Sequence, residues 1–180
     1  MCHFIALQRN PFPFNCTIFS IHFKRPVLKN LFDITLQNRK RLHKILESTS
    51  KEQLLEIPNG YNNNIWWNIA HVVVTQQLLV YKLSGLQIRI PEEFVDRFKK
   101  GTTPDGTATD VEMKQIKNFL ISTIEWMEED YKKGLFKHFN EYTTSAGVTL
   151  KNTDDAMAFN LYHEGLHMGA IISLLKAVKK

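Results

Sequence analysis

The sequence predicts an all-α protein, a four-helix bundle, and three observations carry that expectation. Apolar residues recur at a helical period along four long stretches. Two of those stretches begin at helix-capping residues, Thr109 and Thr153. Strand-like alternation is nearly missing from the 180 residues. Four long amphipathic helices bury their stripes together in a bundle.

The first helix is expected from Leu28, with Leu31, Phe32, Thr35, Leu42, Ile45 and Leu46 on the apolar side. Arg39, Lys40, Arg41 and Lys44 are read as its solvated face, and His43 with them. Ser50 and Gln53 form a capping box opening a short helix, "SKEQLLEIP". "NGYNNN" is turn chemistry, followed by a long helix from about Asn63 to Ser84, which Gly85 ends. Residues 86–108 read as a loop connection. Thr109 and Glu112 cap a third helix running through Ile116, Leu120, Met127 and Tyr131. Residues 135–152 are irregular, with an extended turn or short hairpin in "EYTTSAGVTL". Thr153, with Asp154 and Asp155, is expected to cap the last helix, and Lys176, Lys179 and Lys180 suit its negative end.

Residues 1–27 differ from the rest: aromatic, basic, broken by Pro11, Pro13 and Pro26, and without a period. They are expected to form an extension outside the fold, leaving residues 28–180 as the bundle domain. Arg9, Lys24 and Arg25 lie in that extension, so three of the +5 net charge belong to it and +2 remains. That remainder argues against a nucleic-acid footprint. No apolar run approaches the roughly 20 residues of a membrane span. Cys2 and Cys16, the two cysteines, both lie in the extension. A disulfide framework is excluded, and a reducing, cytoplasmic setting is expected.

His163-Glu164-Gly165-Leu166-His167 reads H-E-x-x-H, a pattern that puts two imidazoles on one helix face. A zincin would take its third ligand downstream, but Met168 to Lys180 contains no His, Asp, Glu or Cys. The metalloprotease reading fails on ligand count. Upstream, His71 is the histidine flanked by Trp67, Val74 and Leu78 at helical spacing, so it faces the core. Three imidazoles therefore point inward from two helices. They are either core histidines satisfied by separate hydrogen bonds or ligands of one cation, and the cation meets the desolvation cost with a single coordination sphere.

"NNNIWWNIAHVVVTQQLLVYKLSG", "FKKGTTP" and "YTTSAGVTL…FNLYHEGLHMGAIISLLK" together resemble the DinB/YfiT-like superfamily over about residues 28–180. The resemblance implies a four-helix bundle with long crossover connections and a divalent metal held by His71, His163 and His167. It also implies a range of activities, from transfer of low-molecular-weight thiols to hydrolysis, and a homodimer. Three neutral imidazoles leave a divalent ion with open positions, as in catalytic sites. Zinc, nickel, manganese and iron all accept imidazole. With no cysteine nearby, a thiol would arrive as co-substrate, beside a small-molecule substrate. Glu164 is either a general base, the one catalytic candidate, or half of an ion pair. Trp67, Asn68, Thr75 and Asn160 are candidates for orienting the rings or lining a pocket, and Gly165 and Gly169 for close helix approach. A metal-binding helical dimer without catalysis is the alternative, and an ion open to solvent separates the two.

Overall fold

The computed structural model describes residues 21–179. Residues 1–20, which include both cysteines and most of the expected extension, lie outside the described residues. Helix α1 spans Ile21–Ser48, so it opens seven residues before Leu28 and runs through Pro26. Helix α2, Lys51–Leu55, opens on the Ser50/Gln53 capping box that the sequence signals. Helix α3, Ile65–Gln76, continues without a break as a π-helical segment, Gln77–Lys82. Gly85, at φ +70°, then turns the chain in the left-handed region that glycine tolerates. Helix α5, Asp110–Lys132, begins at the Thr109/Glu112 capping box. Helix α6, Thr153–Ala177, completes the bundle.

Around the bundle α1 lies against α5 and α6, and α3 lies against the same two helices. The pairs α1/α3 and α5/α6 are therefore diagonal, and the chain crosses the bundle twice to connect them. This is the all-α bundle that the helical periods predict, with the crossover connections that the resemblance implies. Every residue of helix α3 except Thr75 is buried, its polar Asn68, His71 and Gln76 included, because α2 and a further helix close it off from outside.

That further helix corrects the reading of residues 86–108 as loop. Helix α4, Glu92–Phe98, has Pro91 at its N-cap, Glu92 and Glu93 in its first turn, and Phe94, Val95 and Phe98 buried against α3. Seven residues make barely two turns, too few for a sustained apolar period, and Gly85 and Gly101 on either side read as loop. The local signals were present all the same: acids at the positive end and an i, i+4 aromatic pair. A second correction concerns α6, whose N-cap is Asn152, its side chain accepting from the Asp155 N–H at 2.9 Å. Thr153 is the first helical residue instead. In the second connection a minimal antiparallel hairpin forms, β1 (Tyr142–Thr143) with β2 (Thr149–Leu150), pairing Tyr142 with Leu150.

Candidate metal centre

The site is assembled from the start of α3. Asn64 caps that helix by accepting the Trp67 N–H at 2.7 Å, and its amide donates to the Leu55 carbonyl of α2. One turn on, the Asn68 side-chain amide donates to the Asn64 carbonyl at 2.7 Å. That bond commits the Asn68 nitrogen, so Oδ1 faces the other way, toward Nδ1 of His167 at 2.7 Å. His71 follows on the same face, with the Trp67 ring stacked on it at 4.5 Å. Its Nδ1 meets the carbonyl of Phe98, the last residue of α4, at 2.5 Å. The helix that the sequence reading missed thus holds one of the three rings.

These partners determine the protons. A carbonyl oxygen and an amide oxygen only accept, so Nδ1 of His71 and Nδ1 of His167 carry hydrogens. In the neutral rings their Nε2 atoms are then bare lone pairs. Both point at Nε2 of His163, at 3.3 and 3.1 Å. A neutral His163 contributes at most one proton to this group, so at least two lone pairs face one another. Nδ1 of His163 is buried and has no partner among the described residues. Ligating atoms of the three histidines all lie within 4.8 Å of one another. Two nitrogens each about 2.0–2.1 Å from a tetrahedral ion stand roughly 3.3 Å apart, so the observed separations suit one cation. The donor set fits a borderline divalent metal.

Electrostatics favours the neutral rings. Burial pushes His163 down to about 3, with the neighbouring His167 and His71 rings and the Arg39 guanidinium adding to it. Burial, then His71, pushes His167 down to about 4. Burial also holds His71 below its usual value, against the opposing pull of the Phe98 carbonyl. All three are therefore in the ligating form at neutral pH.

A cleft of about 470 Å³ reaches His71, His163 and His167. Leu78, Leu79 and Lys82 of the π-helical segment line it, as do Leu83, Lys100, Phe159 and the hairpin residues Tyr142, Thr144 and Ser145. Thr75 also lines it, its hydroxyl 3.2 Å from Nε2 of His71 and able to donate there. Of the remaining expected residues, Trp67 walls the ring of His71 and donates its indole N–H to Thr102 at 3.0 Å. His43 lies near Glu47 and His138 near Asn140, both away from the cluster.

Glu164 faces away from the cleft. It is fully buried in an ion pair with Arg39, whose Nε and Nη2 donate to its two oxygens at 3.0 and 2.8 Å. Asn160 donates to the same carboxylate at 2.8 Å, and so serves Glu164 instead of a histidine. Arg39 is 0% exposed, which corrects its placement on the solvated face of α1. Its position four residues after Thr35 and three before Leu42 put it on the apolar stripe, and a cation there signals a buried partner. Gly165 and Gly169 have no atom within 4 Å of where a Cβ would stand, so no neighbour within the described chain approaches them. Leu78 shares the His71 face by helical spacing, but the cleft's lysines, its other leucines and the hairpin hydroxyls carry no sequence signal, because elements far apart in the chain supply them.

Comparison with known families gives one result: the DinB superfamily matches residues 34–171. The chain belongs to the DinB superfamily. No curated protein matches it.

Proposed function

We propose that this DinB-superfamily protein is a metal-dependent enzyme whose His71, His163 and His167 hold a divalent cation through Nε2. The observation that carries the reading is the set of three converging Nε2 atoms, those of His71 and His167 bare, that a cleft reaches. An ion bound there supplies Lewis acidity and lowers the pKa of a water or thiol that it binds. Asn68 and the Phe98 carbonyl hold two rings in the required tautomer, and Trp67 holds the His71 plane. Zinc, nickel, manganese and iron all suit an imidazole set.

Among the described residues that line the cleft, no carboxylate stands ready as a base, and Glu164 is engaged with Arg39. Thiols ionise near pH 8.5 and need little help from a base, whereas water needs far more. Transfer of a small thiol onto an electrophile is the chemistry this arrangement supports best, the thiol arriving as co-substrate. Hydrolysis is the second reading, favoured by the Thr75 hydroxyl beside Nε2 of His71, where it can orient a water. The cleft's access to the histidines speaks against a purely structural metal. The test is conjugation of free cysteine with an aryl chloride, followed by thiol loss and chloride release. Metal-loaded protein is expected to accelerate it and EDTA-stripped protein is not. Equal rates in the two samples would contradict the reading.

A homodimer through α6 belongs to the same proposal. Tyr162 and Leu166 are 54% and 56% exposed on that helix. Gly165 and Gly169 stand open beside them, leaving an apolar face for a second copy.

A further inference from the structure

The cleft above the three histidines is chemically lopsided. Its walls are Leu78, Leu79, Leu83 and Phe159, and its charged residues are Lys82 and Lys100, both exposed to solvent. No carboxylate is among its described lining residues. Neither ammonium forms an ion pair among the described residues, although Lys99, beside Lys100, is paired with Asp96 at 2.8 Å. The two cations come from different elements, the end of the π-helical segment and the loop after α4. Both border the same cavity, which Tyr142, Thr144 and Ser145 of the hairpin region furnish with hydroxyls.

We infer that the cleft takes an organic anion with a short apolar body, its charge held by Lys82 and Lys100 and its body laid on the leucines and Phe159. Two unneutralised ammonium groups at the edge of an apolar cavity attract an anion and repel a cation, in a setting less screened than open surface. Hydroxyls supply hydrogen bonds to the anion's oxygens. The apolar wall selects against small inorganic ions, which gain nothing from it. This assignment deepens the metal-enzyme reading and rests on it for which end of the molecule reacts. The charge recognition itself belongs to the lysines.

NMR shift titrations with hexanoate, hexyl phosphate and neutral hexanamide test it, on metal-loaded and on EDTA-stripped protein. In both forms at least one anion is expected to bind more tightly than hexanamide. The K82Q/K100Q protein is expected to lose about tenfold of that preference at low salt, with hexanamide unchanged and K82R/K100R restoring it. Comparing variants on the stripped protein separates the lysines from the metal. A lysine-dependent preference in protein that never binds metal would sustain this inference while the metal reading fell. Equal binding of anions and amide, no binding of any anion, or a preference untouched in K82Q/K100Q would each overturn it.

Discussion

At the scale of single residues, the pair Arg39–Glu164 separates a catalytic glutamate from a structural one. Both groups are fully buried and joined by two hydrogen bonds. Removing one charge leaves the other buried without a partner, so Glu164→Ala is expected to cost about 3–5 kcal/mol in urea unfolding. Glu164→Gln keeps an acceptor for Arg39 and is expected to cost less, with metal content and turnover retained. A folded, metal-loaded Gln variant without turnover would make Glu164 catalytic after all. The histidines make a prediction of opposite character, in pH. Their folded pKa values lie below the unfolded value of 6.5, at about 3 for His163 and about 4 for His167. The unfolded chain therefore binds more protons, and stability rises with pH across that window. Metal-free protein is expected to lose stability progressively as pH falls below 6.5 toward 3. His163→Asn, which lacks one of these groups, is expected to show a shallower slope in urea midpoints; an identical slope would contradict the assignment. The i, i+4 histidines and the core-facing His71 were legible in sequence because a helix translates spacing directly into direction. The same spacing places Arg39 on the apolar stripe, but its partner was not legible, because Glu164 lies 125 residues away and only the fold brings it near.

At the scale of elements, helix ends and the site are one structure. Asn64 caps α3, accepts the Asn68 amide on its carbonyl, and thereby aims Asn68 at His167. Losing such a cap costs about 1 kcal/mol. Asn64→Ala is expected to lower stability by roughly that amount and to weaken metal affinity as well, because Asn68 loses its fixed orientation as the helix end frays. Calorimetric metal titration checks this, and wild-type affinity in a destabilised Asn64→Ala protein would sever the cap from the site. The capping boxes at Ser50 and Thr109 were readable because their chemistry closes within four residues. Helix α4 was not, since one short apolar face between glycines looks like loop. With α4 unseen, the Phe98 carbonyl that holds His71 could not be anticipated either.

At the scale of the whole molecule, the ring order of helices brings α3 and α6 side by side and so joins His71 to His163 and His167. The same order leaves the outer face of α6 apolar. Sedimentation at micromolar concentration is expected to give twice 21.0 kDa, and Leu166→Glu is expected to return the protein to a monomer. A wild-type species at 21.0 kDa would remove the dimer. The bundle was visible in sequence from four long stretches in which apolar residues recur at a helical period. The cleft was not, because α3, the loop after α4, the hairpin and α6 each contribute only a few of its residues. Everything proposed about chemistry depends on one shared ion, and metal analysis of purified protein tests that most directly. Wild-type protein is expected to hold about one divalent ion per bundle site. His71→Ala, from the helix that the zincin pattern would ignore, is expected to lose it as fully as His163→Ala or His167→Ala does. Full occupancy in a folded His71→Ala protein, with an unchanged coordination sphere, would contradict the three-histidine centre.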